Sequence, residues 1–315
     1  MVCVMLWQVV LDSLAPVFLT MAVGVLLRRL RFLPEGFFGG LNQLAFWVCL
    51  PCMLYTEIAR SRFSGGAVLE AVGIIALALP PTLLAGWALT RLLRVSPASR
   101  SAFRQGAVRG NLAYVGIPVI TYALVKNTQA AGLAALIMAP LTPLYNIVGV
   151  LLLAPRGGGG NFWERGRPTL AAIATNPLII SCLLGLAAFW WQVSLPVPIG
   201  KTVDMLGKAG LPTALLALGS SLTFERVKGH FGHASAASFT RVAISPLIGL
   251  ALTAAFGLAG DLRTIVLLYL ACPAAVTSYV MADQMGADKD LAGAIVVLST
   301  FYAFPAMAVV LLLAS

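Results

Sequence analysis

Apolar runs long enough to cross a bilayer follow one another through the whole chain, with short polar gaps between them. That pattern leaves few folds open. Lipid offers no partner to backbone N–H and C=O groups, so a spanning chain must satisfy them inside helices or a closed barrel. The runs here have helical length, since about 20 residues cover the ~30 Å hydrocarbon core. Ten can be placed, at 4–27, 37–58, 67–92, 105–126 and 130–154, then at 172–192, 198–222, 237–259, 262–283 and 288–314. Only 10% of the 315 residues are charged, and the mean hydropathy is +0.93. A soluble domain carries about 25% charged residues. The expected class is an all-α membrane protein. The first run lacks the basic leader and small-residue cleavage site of a signal peptide, so it is expected to be a retained span.

The net charge of +10 does not indicate nucleic-acid binding. The basic residues sit in gaps between apolar runs and build no face with interleaved aromatics. Fifteen of the 21 lie in or beside the odd-numbered gaps, among them Arg104, Arg109 and Arg241, leaving Arg60, Arg62, Lys126, Lys201, Lys208 and Arg263 elsewhere. Cytoplasmic loops concentrate Lys and Arg. The expectation is therefore odd-numbered loops in the cytoplasm, both termini outside, and a cell (inner) membrane location.

Prolines recur at nearly one offset. Pro51 pairs with Pro212, Pro81 with Pro246, Pro118 with Pro273 and Pro143 with Pro305, each separated by roughly 155–165 residues. A shared offset suggests a duplicated unit. Five spans per unit is odd, so the second copy would enter the membrane inverted. The expected organisation is a five-helix repeat over 1–154, a cytoplasmic connecting loop over 155–171 and an inverted five-helix repeat over 172–315.

The fourth run, "RGNLAYVGIPVITY", interrupts itself. Pro118 lacks the helical N–H and crowds the preceding turn, and Gly116 gives permissive backbone beside it. Asn111 places an amide in the same apolar segment, where an unpaired polar group costs about 1–3 kcal/mol. The ninth run, "LYLACPAAVTSYVMADQ", repeats the arrangement with Pro273, Thr277 and Ser278. Two broken helices in inverted halves would cross near the midplane. Their half-helix amino ends would then point positive dipole ends into one pocket, which suits an anion or carboxylate. An ordinary proline kink with one satisfied amide explains the same residues without a pocket.

The motif "GNLAYVGIPVI" resembles the auxin efflux carrier family, whose fourth span carries Asn, four residues, then Gly, an aliphatic residue and Pro. Asn111, Gly116, Ile117 and Pro118 match that spacing. The segment from Pro273 through Val276, Tyr279, Val280, Ala282, Asp290 and Leu291 to Pro305 is similar to the family's second signature. "LNQLAFWVCLP", with Asn42 and Pro51, resembles its second span, and "TNPLII" from Thr175 its sixth. The resemblance implies ten transmembrane helices as two inverted five-helix repeats, with broken crossover helices 4 and 9. It also implies a scaffold of spans 1, 2, 6 and 7 and a secondary carrier for small organic anions working by elevator-like alternating access. It places Asn111 at the substrate carboxylate. The short "PRGGGGNFWERGRP" departs from the long loop of plant members, and Ala274 and Ala275 depart from them after the ninth-span proline, which argues against assuming auxin.

Other polar residues carry two readings. Asp204 and Lys208 lie i,i+4 on one helix face, as a scaffold pair or a coupling site. Asp283 and Asp290 flank one end of the ninth run as candidates for gating or proton coupling. Tyr145 and Asn146 follow Pro143 and either line the pocket or bond between helices. Cys49 and Cys52 have the spacing of a redox or zinc pair, but further ligands are wanting. No catalytic signature is present, so neither cofactor nor enzyme activity is expected. The expected partners are a small mono- or dicarboxylate, the lipid bilayer and a homodimer through scaffold helices. A channel or receptor using the same broken-helix pocket is the alternative.

Overall fold

The computed structural model of the chain describes residues 2–31, 33–34, 36–60, 65–153 and 174–314, and these are helical apart from turns, short links and one isolated bridge. The predicted connecting loop at 155–171 lies outside the described residues. In chain order the helices are α1 (Val2–Arg29), α2 (Phe37–Ala59), α3 (Gly65–Leu92), α4 (Arg100–Val108), α5 (Leu112–Ala123), α6 (Ala130–Leu153) and α7 (Pro177–Trp190). They continue as α8 (Val197–Lys208), α9 (Gly210–Ser221), α10 (Phe231–Ala255), α11 (Gly260–Ala271), α12 (Thr277–Gln284) and α13 (Lys289–Ala314).

Among the described residues, six helices are long and apolar enough to cross a membrane: α1, α2, α3, α6, α10 and α13. The fourth, seventh and ninth predicted spans are each built from two shorter helices, and α7 has 14 residues. Large apolar side chains such as Leu19, Leu69, Leu84 and Trp190 face outward. Lipid accepts such a surface; water would not.

Helices approach closely where glycine removes a side chain, the usual device when lipid leaves no hydrophobic drive between helices. A Cβ on Gly24 of α1 would strike the Leu216 carbonyl of α9, and one on Gly219 would strike Met21. A Cβ on Gly185 of α7 would lie 3.0 Å from Ile58 of α2. So α1 lies along α9, while α2 packs on α7 and α8. The remaining helices form a second set of contacts, α10 against α13 and α11, and α3 against α4, α6 and α10.

Among the described residues, three helices carry a π turn ending two residues before a proline: Ala45–Cys49 before Pro51, Leu112–Gly116 before Pro118 and Thr240–Ile244 before Pro246. The wider turn accommodates a residue that lacks an N–H and whose ring crowds the turn before it. Their sequence-matched partners behave differently. Pro212 lies in the first turn of α9, Pro81 inside α3, and Pro273 in a non-helical link.

Candidate functional site at two paired helix breaks

Two of the short-helix pairs are interrupted by extended backbone, and the interruptions face each other. After Val108 ends α4, Arg109 turns to φ −81°, ψ 109°, and Asn111 sits at φ −87°, ψ 71° before α5 begins. After Ala271 ends α11, Cys272 turns to φ −56°, ψ 142°, and α12 starts at Thr277. Gly110 and Ala274 form an antiparallel bridge. The Asn111 N–H donates to the Pro273 carbonyl at 2.8 Å, and the Ala275 N–H to the Arg109 carbonyl at 3.0 Å.

Many of the freed backbone groups find partners, as burial requires. The Ala274 N–H donates to Ser299 Oγ of α13 at 2.9 Å. The carbonyls at the ends of the two half-helices go to one side chain. Arg241, 1% exposed in the π turn of α10, donates Nη1 to Val108 O at 3.0 Å, Nε to Cys272 O at 2.9 Å and Nη2 to Tyr269 O at 2.6 Å. A guanidinium has five N–H donors in a rigid fork, and its charge sits at two negative helix ends. Gly110 is required for this contact, because a Cβ there would collide with the guanidinium.

These observations correct two readings of the fourth run. The break lies at Arg109–Asn111, upstream of Pro118, which lies inside α5 just after the π turn that accommodates it. Gly116 has ordinary helical dihedrals; it serves packing, since a Cβ would lie 2.6 Å from the Tyr269 ring and 3.0 Å from Cys272 Sγ. Arg104, Arg109 and Arg241 are not loop charges at all. They are 7%, 9% and 1% exposed, and Arg104 donates to Thr90 Oγ1 at 3.0 Å.

Asn111 is buried at the centre of this arrangement. Its Oδ1 accepts the Tyr114 N–H at 3.3 Å and caps α5, while its Nδ2 makes no hydrogen bond among the described residues. The Tyr114 hydroxyl donates to Oδ1 of Asn42, which ties α2 to the segment just after Asn111. Ser278 is 1% exposed with an unbonded hydroxyl, whereas Thr277 faces outward. Tyr145 is buried beside Arg241, with which it lines a narrow crevice against α3 and α11. Asn146 accepts from Arg109 Nη2 at 2.6 Å. The structure thus gathers Asn111, Gly116, Pro273, Ser278, Tyr145 and Asn146 around the breaks, puts Pro118 further along α5, and leaves Thr277 and Asn42 at the margin.

The family model described as "Membrane transport protein" matches residues 9–311. The chain belongs to this family. It is a family of membrane transporters, not of enzymes, and the auxin efflux resemblance stands within it. The transporter is 26% identical over 298 residues to the "Putative malonate transporter" of Rhizobium meliloti (strain 1021), covering 90% of this chain and 89% of that one. It is 25% identical over 293 residues to an "Uncharacterized transporter" of Methanothermobacter thermautotrophicus, covering 92% and 93%. "Auxin efflux carrier component 3a" of Oryza sativa subsp. japonica is 29% identical over 136 residues, covering 41% of this transporter and 22% of the carrier.

The candidate coupling residues lie away from the breaks. Asp204 pairs with Lys208 at 2.7 Å, but also with Arg60 at 3.0 Å, and the Lys208 and Arg60 side chains are 78% and 66% exposed. The i,i+4 pair expected from spacing is part of an open three-member cluster. Exposed pairs contribute little, so Asp204→Asn should leave the melting temperature of the transporter unchanged; a large fall would show that the cluster ties α8 to α2. Asp283 pairs with Lys289 at 2.9 Å, and Asp290 is exposed. Sequence reading missed Asp288 between them. Its Oδ1 accepts the Leu291 N–H at 2.9 Å to cap α13, and its Oδ2 accepts from Ser99.

Proposed function

We propose that this transporter is a secondary carrier for small organic anions, carboxylates, cycling by elevator-like alternating access. The crossing of α4–α5 with α11–α12 is its binding centre. The observation that carries this reading is the Nδ2 donor of Asn111, which has no hydrogen-bond partner among the described residues and lies at two backbone-paired breaks. The segments 105–122 and 264–282 contain no Asp or Glu, so nothing of like charge repels an anion there. The positive ends of α5 and α12 start immediately beyond the bridge and favour negative charge. A relative named for malonate, matched over 90% of the chain, agrees with a carboxylate cargo. The ten-span, two-repeat organisation belongs to the same proposal. Breaks in the fourth and ninth places, and unbroken long helices in the fifth and tenth, support it.

Purified protein in liposomes preloaded with unlabelled carboxylate should take up the labelled compound in a saturable, counterflow-stimulated way. Single-channel currents without counterflow would instead indicate a pore. Orientation follows from the basic gaps, which keep most of their charge after three arginines move inside. Reporter fusions at Ser315 should read as extracytoplasmic; a cytoplasmic signal would overturn this orientation.

A further inference from the structure

We propose that Arg109 is the charged ligand of the transported anion, and that Met281 holds its place while the site is empty. The assignment rests on the carrier reading above and extends its site beyond Asn111.

Arg109 is 9% exposed, and its guanidinium meets only neutral groups. Nη2 donates to Asn146 Oδ1 at 2.6 Å, and Nη1 lies against Met281 Sδ. Among the described residues no carboxylate comes within ion-pair distance of it. Arg241 shows the contrast, with its donors spent on three carbonyls at the ends of helices. A thioether is a weak acceptor, so Arg109 is a buried cation with half its fork poorly matched. Buried charges in membranes are stable when something of opposite sign or good hydrogen-bonding power compensates them.

Further polar groups without strong partners lie close by. Gln105, 0% exposed and one turn before Arg109 on α4, has an unbonded Oε1, and its Nε2 lies 3.7 Å from Met281 Sδ. Ser278, one turn before Met281 on α12, has an unbonded hydroxyl. On α6, Gly149 lies one turn beyond Asn146 and leaves room for the methionine, since a Cβ there would sit 3.1 Å from both Met281 Cε and Gln105 Nε2. Residues one turn apart on a helix share a face. Gln105 of α4, Asn146 and Gly149 of α6 and Met281 of α12 meet around the Arg109 guanidinium, and the space before its fork is filled by an unbranched, conformationally soft side chain. A planar carboxylate matches the fork that the thioether now covers.

The test uses the purified full-length protein with sodium malonate as probe, read by ligand-dependent melting and by titration calorimetry. Arg109→Gln removes the charge and keeps an amide. Its unliganded melting temperature should equal or exceed that of the wild type, because an uncompensated charge has gone, while malonate affinity falls at least ten-fold. Arg109→Lys should retain part of the affinity. Met281→Ala should tighten binding by uncovering the fork. Wild-type affinity in Arg109→Gln, failure of that variant to fold, or Arg109→Lys binding no better than Arg109→Gln would overturn the assignment while leaving the carrier reading intact. Unchanged affinity in Met281→Ala would overturn the placeholder role. Wild-type protein indifferent to malonate and to other small mono- and dicarboxylates would overturn the carrier reading, and this assignment with it.

Discussion

Arg241→Met should unfold the transporter more readily than any other single substitution considered, with a net loss on the order of 3 kcal/mol and no measurable transport. Removing the guanidinium takes the side-chain donor from the carbonyls of Val108 and Cys272, and leaves the Tyr269 carbonyl only the long contact from the Cys272 N–H at 3.4 Å. Each buried unsatisfied group costs about 1–3 kcal/mol, and relief from burying a cation offsets part of the sum. Arg241→Lys keeps the charge but not the fork, so it should fall between the two. Gly110→Ala attacks the same contact from the other side, since its Cβ would collide with the guanidinium, and should lose stability similarly. Melting in detergent by tryptophan fluorescence would measure all three. An Arg241→Met protein as stable as wild type would mean that the breaks are held by the bridge alone.

Asn111 should separate binding from folding. Asn111→Ala loses the cap on the Tyr114 N–H, worth roughly 0.5–2 kcal/mol of stability. It also loses the Nδ2 donor, and carboxylate affinity should fall by about 1.5–3 kcal/mol, roughly ten- to a hundred-fold. Asn111→Asp is more informative. Aspartate is as good a helix cap as asparagine, so stability is kept, but an ionised carboxylate faces the anion. Transport should vanish near neutral pH and return in part under acid, as the new carboxyl protonates. Uptake at two pH values by both variants would test this. Undiminished transport by Asn111→Asp at neutral pH would make Asn111 a cap and nothing more.

What could be read from the sequence was set by chemistry that acts locally. The apolar runs follow from hydropathy, and proline marked the fourth and ninth of them as interrupted, although in the fourth the break lies upstream of Pro118, at Arg109–Asn111. Asn111 stood out as an amide in an oily segment. The arginines did not stand out as interior groups, because Lys and Arg between apolar runs ordinarily mark cytoplasmic loops. Arg241 carried a usable signal, five residues before Pro246 inside a segment otherwise free of charge. Arg109 carried another, two residues before Asn111 within the motif itself. What the sequence could not supply was the partner on the other chain segment. Only the three-dimensional arrangement brings Pro273 O to Asn111 N–H, or three carbonyls to one guanidinium. Gly116 illustrates the same limit. Beside a proline it suggests backbone freedom, but it is needed for room against Tyr269. The exposure of Lys208 likewise depends on packing that i,i+4 spacing does not reveal.

In the proposed carrier the two paired breaks, with Asn111 between them, form an anion-binding centre. Titration calorimetry of a small carboxylate against wild-type protein and against Asn111→Asp at neutral pH tests it most directly, with melting curves showing both proteins folded. Saturable binding to the wild type, and none to the folded variant, is the expected result. Equal binding to both proteins would contradict the claim.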